Sequence, residues 1–244
     1  MRLSIYLTAA FVLLTLSPCQ ASFLGDLSNK YLQPATQQVS LDDSTIVKGL
    51  KEALATGTEK AVAAVAKTDG YFGNELIKIM LPAKVQQAAN VLGTLGYQQQ
   101  VDEVVLTMNR AAEKAAPKAA AFFGDAIRQM TVEDAKGILS GGNTAATDYF
   151  AKKTRTQLFD SFKPTVAKNM DQVGTARAYK EMIGKYDVTP LASFAGVPSI
   201  DLDAYVTNKA LDGLFKMVAE EEMKIRTNPA ARTTDLLRSV FGAK

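Results

Sequence analysis

The chain has no histidine, and its one cysteine, Cys19, lies close to the N-terminus. A chain that loses that end has no His general base, no thiolate nucleophile and no His or Cys metal site. Serine or lysine nucleophiles need no histidine, but neither Gly-x-Ser-x-Gly nor Ser-x-x-Lys occurs beyond residue 21. Hydrolysis by a pair of carboxylates also needs no histidine, so the acids carry what chemistry remains. The oddest of them is Glu222. With Leu211 at 0° on a helical wheel, Leu214, Phe215, Val218 and Ile225 fall within about 60° of it, at about 100° per residue. Glu222 falls near 20°, inside that apolar stripe, while Glu220 falls opposite. A carboxylate there must be neutralised, hydrogen-bonded or paired. The plainer role is an ion pair with Arg226, four residues on, or with a base from another helix. The other role is a functional acid, base or hard-metal ligand.

A second group of residues could hold an anion. Ser140, Gly141, Gly142, Asn143 and Thr144 lead into a helix, whose first N–H groups and dipole favour negative charge. The same glycines serve a plain chain reversal, and no Lys-Ser/Thr ending follows as in a phosphate-binding P-loop. Glu133, Asp134 and Asp148 flank the turn and carry oxygen donors suited to Ca²⁺ or Mg²⁺, without EF-hand spacing. Glu133 and Asp134 also suit the first turn of a helix. Lys152, Lys153 and Arg155 are the nearest thing to a basic cluster, and read as a solvated helix face. With 28 basic and 25 acidic side chains the net charge is only +3, which argues against a nucleic-acid partner. No motif calls for a cofactor.

The elements that must position these residues look helical throughout. Ile46, Leu50, Leu54, Ala61 and Val65 recur at near-helical spacing from Ser44 to Ala66, and Asp69-Gly70 ends that helix. Pro82 suits a helix start. Val101, Val104, Val105, Met108, Ala112 and Ala115 share one stripe, with Asp102, Glu103, Arg110 and Lys114 outside it. Pro117 is expected to start a new helix carrying Phe122, Phe123 and Met130. Thr131 with Asp134 forms a capping-box pattern for a short helix through Leu139. Asn143 or Thr144 is expected to cap the helix holding Tyr149 and Phe150, which Pro164 is expected to interrupt or end. A loop-rich stretch with Pro190 and Pro198 surrounds a helix containing Tyr179 and Ile183. The last long helix runs from about Asp203 to Arg226, before Asn228-Pro229. A short helix from Thr234 to Phe241 closes the chain. Strand-type alternation is nearly absent, so the expected fold is all-α, a single compact bundle of about seven to nine helices.

The first residues read as an export signal. Arg2 is the only charge before Asp26, and Leu3–Leu16 is an uncharged, mostly apolar run of fourteen residues. That is shorter than the roughly 20 residues needed to span a bilayer. Cleavage after Ala21 would start the mature chain at Ser22, without a transmembrane helix. Leu16-Ser17-Pro18-Cys19 also looks like a lipobox, in which Cys19 would carry a lipid anchor; Pro18 departs from the usual small residue. The expected organisation is a signal peptide over 1–21, a loosely ordered glutamine-rich lead-in over 22–42, and one helical domain over 43–244.

The run QMTVEDAKGILSGGNTAATDYF at 129–150 resembles a motif of the bacterial domain of unknown function 4197 family. KTDGYFGNELIKIMLP at 67–82, MNRAAEKAAPKA at 108–119 and VTNKALDGLFKMVAEEEMKIRTNP at 206–229 are similar to it in order and spacing. The likeness covers roughly Ser44 to Phe241. It implies an exported helical protein of Gram-negative bacteria and carries no activity, ligand or catalytic residue. Three functions are therefore expected in order. The first is a non-catalytic periplasmic binding or scaffold protein whose partner is another envelope component. The second is a small-ligand or Ca²⁺/Mg²⁺-binding protein using the Gly141-Gly142 turn, Asn143, Thr144, Asp134 and Asp148. The third is a His-free carboxylate-pair hydrolase that includes Glu222.

Overall fold

The computed structural model describes residues 42–174, 176–180, 200–232, 234, 235, 238 and 241. The expected signal at 1–21 with Cys19, the lead-in up to residue 41, and the stretch holding Ile183, Pro190 and Pro198 lie outside them. Helix α1 is Asp43–Ala66. Asp42 caps it by accepting from the Thr45 N–H at 2.9 Å. Its buried side includes Leu50, Leu54, Ala61 and Val65, the positions the spacing singled out. After an irregular stretch at 67–82 come α2 (Ala83–Leu92), a π turn (Gly93–Tyr97), α3 (Gln98–Ala115), a 3₁₀ turn (Ala116–Lys118) and α4 (Ala119–Gln129). Then follow α5 (Val132–Ser140), α6 (Ala145–Gln172) and α7 (Leu202–Thr227). Every regular element among the described residues is helical, and none is long and apolar enough to cross a membrane.

Two prolines depart from expectation. Pro117 does not open a separate rod, because Ala115, Ala116, Lys118 and Ala119 all keep right-handed helical backbone angles. Proline's fixed φ suits that conformation, so α3 and α4 form one path through a tighter turn. The described residues with both ends placed thus form six helical rods rather than seven to nine. Pro164 does not end α6, which runs eight residues beyond it to Gln172. Its ring and Asp160, whose carbonyl loses its N–H partner, are both on the exposed side, where water can serve that carbonyl. On the opposite side Phe162, Val166 and Met170 are fully buried and hold the helix in register.

The core lies where α7 packs along α6 and α1, with α3 across α6 and α4 against both α1 and α6. Phe123 of α4, Phe150 of α6 and Phe215 of α7 meet there, with centroids 5.1 and 6.0 Å from Phe123. Each such ring contributes about 2–3 kcal/mol by leaving water.

The irregular 67–82 stretch is held by polar groups rather than by its own ladder. Asn109 on α3 is wholly buried; its amide accepts from the Ile79 N–H at 2.8 Å and donates to the Ile79 carbonyl at 2.8 Å. It thereby imitates a strand partner for one residue. The Tyr71 hydroxyl donates to the Ala210 carbonyl of α7 at 2.6 Å, and burial pushes its pKa well up. Gly213 makes room for that ring, since a Cβ there would sit 2.7 Å from Tyr71 Cε1. Replacing Asn109 by Leu leaves two buried backbone groups unpaired and is expected to cost about 2–4 kcal/mol. Urea unfolding would show this as a lower midpoint with an unchanged slope; a change below about 1 kcal/mol would contradict the role.

Candidate functional site

The α5–α6 corner is where the sequence concentrates its candidate residues, and α7 supplies the charge that completes it. Helix α6 begins at Ala145, so the N–H groups of Ala146 and Thr147 have no partner within the helix. Asn143 or Thr144 was expected to cap them. Neither does: Thr144 forms no side-chain cap, and its hydroxyl lies 3.4 Å from Asp148 Oδ2. The cap comes from 75 residues away. Glu222 accepts from Ala146 N–H through Oε1 and from Thr147 N–H through Oε2, both at 2.9 Å. The Thr147 hydroxyl donates to Oε2 at 2.9 Å. Arg226, on the same helix, donates to Oε1 through Nε at 3.0 Å and through Nη2 at 2.8 Å. Its Nη2 also donates to the Ile138 carbonyl of α5 at 2.7 Å.

Electrostatics explain why this arrangement is stable. A helix start favours an anion and a helix end favours a cation. Glu222 sits at the start of α6, and Arg226 reaches the last turn of α5. Arg232 repeats the device at the end of α7, donating to the Ile225 and Arg226 carbonyls at 3.1 and 2.9 Å. The Glu222 and Arg226 side chains are only 6% and 10% exposed, so neither charge could be left there alone. Five donor contacts enclose the carboxylate on all sides that matter for hydrogen bonding.

The remaining candidates do not join it. Asp134 makes the expected reciprocal capping box with Thr131: each side chain accepts from the other residue's N–H at 3.1 Å. The Thr131 N–H holds the Asp134 carboxyl below its ordinary value. Glu133, Asp148, Gly141, Gly142 and Asn143 are exposed on the corner. Gly141 is there for space, since a Cβ would lie 2.6 Å from Ala145 Cβ. The first-turn N–H groups that suited an anion are taken by Glu222. Among the described residues, no three acidic or Cys side chains come together as a metal would need. Lys152 and Lys153 are exposed, and Arg155 pairs with Asp212 of α7 at 2.7 Å.

Sequence reasoning missed a second buried glutamate built on the same plan. Glu113 of α3 accepts from the consecutive N–H groups of Tyr71 and Phe72 at 3.1 and 3.3 Å. Arg110 donates to its other oxygen at 2.7 Å and to Asp69 at 2.7 Å. Asp69 itself has φ of 62°, which fixes the turn that presents those N–H groups. The wheel held a signal for Asn109 but not for Glu113: from Met108, Asn109 lies at about 100°, on the shoulder of the apolar stripe, whereas Glu113 at about 140° lies beyond exposed Asp102 on the polar side.

Replacing Glu222 by Gln keeps the shape but removes the charge opposite Arg226. The expected loss is about 3 kcal/mol, read as a melting temperature lower by roughly 6–12 °C. A Gln variant with native melting would contradict the clamp and return Glu222 to the catalytic candidates. The Asp134 cap has a pH signature. Its stabilisation is complete above the ordinary value of 3.8 and is lost as pH falls through the depressed native value. Acid melting curves of Asp134→Asn should therefore fall less steeply through that range than those of the parent; parallel curves would contradict it.

Comparison with curated proteins and with solved structures found no match. A family model does match, and it spans the corner, both buried glutamates and helices α1 to α7. It covers residues 40–242 and is described as "Protein of unknown function (DUF4197)". The segments 67–82, 108–119, 129–150 and 206–229, which hold the residues of both glutamate clamps, lie inside that match, and the chain belongs to the DUF4197 family.

Proposed function

We propose that this is an exported, non-catalytic helical protein of the bacterial cell envelope that acts by binding another envelope component. The observation that carries this reading is the enclosure of Glu222. A general acid or base needs an oxygen free to meet substrate, and a metal ligand needs an open lone pair. Both Glu222 oxygens instead receive the protein's own donors. Glu113 is engaged in the same way. The most buried carboxylates of the described chain are therefore committed to holding backbone. Large apolar side chains do stand in solvent, among them Leu76, Leu95 and Tyr97 at 69%, 67% and 53% exposure. Binding by apolar contact fits that surface.

Export is supported by the charge layout of the first residues, with one Arg before a fourteen-residue uncharged run. Native mass spectrometry of the protein from its own envelope fraction tests both parts. The expected mass begins at Ser22, and crosslinking in cells should yield a discrete adduct with an envelope component. A full-length mass in the cytoplasmic fraction would overturn the export reading. Turnover of a cell-wall glycan lost in a normally folded Glu222→Gln variant would overturn the non-catalytic one.

A further inference from the structure

The turn between α2 and α3 differs from the rest of the surface. Thr94 to Gln100 are seven consecutive exposed residues at the end of this helix pair, with Thr94, Gln98, Gln99 and Gln100 polar but uncharged. Its two large apolar side chains, Leu95 and Tyr97, are 67% and 53% exposed. Around them the sequence runs from Val85 to Val101 without one Asp, Glu, Lys or Arg. Over the whole chain 22% of residues are charged, and an exposed helix pair of this length would ordinarily carry several charges. The tip's shape is built in. Gly96 has φ of 92°, and a Cβ at Gly93 would press on the Gln98 amide. Both positions therefore call for glycine, one by its left-handed backbone and the other by the close approach of Gln98.

We infer that this tip inserts into the interfacial layer of a lipid membrane. The inference rests on the envelope reading above and names the component bound. Absence of charge selects this occupant. A protein partner accepts or prefers charges at the rim of its interface, whereas each charge carried into a bilayer is costly. Tyrosine suits the headgroup level, with its ring in the apolar zone and its hydroxyl in water, and leucine suits the acyl boundary. The geometry agrees in depth. The first carboxylate, Asp102, follows Tyr97 by five residues, or about 7 Å of helix, and amphipathic elements insert about 5–10 Å. Asp102 is moreover engaged by the Gln98 amide at 2.8 Å.

The chain has no tryptophan, so Tyr97→Trp places a sole reporter at the tip of the full protein. With vesicles of phosphatidylethanolamine and phosphatidylglycerol, its emission should shift to the blue, and the shift should survive high salt because no charge is involved. Adding Leu95→Ser should weaken vesicle partitioning roughly tenfold with unchanged thermal melting. Unshifted emission, or equal partitioning with and without Leu95, would overturn the inference. So would a lipid-free dimer that Leu95→Ser dissolves, which would give the tip to a second copy. Cell fractionation tests the envelope reading separately, since a cytoplasmic location would refute that reading whatever the vesicles show.

Discussion

A buried carboxylate in this protein survives by accepting two consecutive backbone N–H groups and one guanidinium from its own helix. Glu222 and Arg226 do this for the start of α6, Glu113 and Arg110 for the turn at Tyr71-Phe72. The cost of burying such a charge is several kcal/mol, and the cost of breaking its partner set is comparable. The rest of the architecture follows from meeting that demand. Helix α7 must lie where Glu222 reaches α6 and Arg226 reaches the Ile138 carbonyl, which fixes α5, α6 and α7 at one corner. The 67–82 stretch has no ladder of its own, yet buries Tyr71, Ile77, Ile79 and Leu81, because α3 offers its backbone Glu113 and Asn109 and α7 offers the Tyr71 hydroxyl the Ala210 carbonyl.

Much of this was legible from spacing alone. Glu222 stood out on the wheel, its partner four residues on was the plainer of two roles, and the Thr131–Asp134 box formed as its residue types required. What spacing could not show is where the N–H donors come from, since they lie 75 and 76 residues away on α6. Glu113 escaped because its position falls on the polar side of the wheel, and only the backbone of Tyr71 and Phe72 covers it. The prolines misled for a different reason. Their cost depends on whether the carbonyl they orphan meets water, and at Pro164 it does; sequence does not reveal that face without the packing of Phe162 and Met170.

The same distribution of charge sets the exposed surface apart from the interior. Glu222 and Glu113 are both enclosed by the protein's own donors, so the binding reading proposed above looks to the exposed surface. Within that surface the α2–α3 tip is set apart by having no charge over seventeen residues. The interior is thus specified by paired ions, while the α2–α3 turn is exposed and uncharged.

Amide hydrogen exchange at Ala146 and Thr147 tests the account most directly. First-turn N–H groups of a helix that face water exchange quickly, because nothing within the helix accepts from them. If Glu222 clamps this corner, both should exchange as slowly as amides in the middle of α6, and both should become fast in Glu222→Ala. Rapid exchange of either amide in the native protein would mean that the clamp is not formed in solution, and the structural assignment of Glu222 would fall with it.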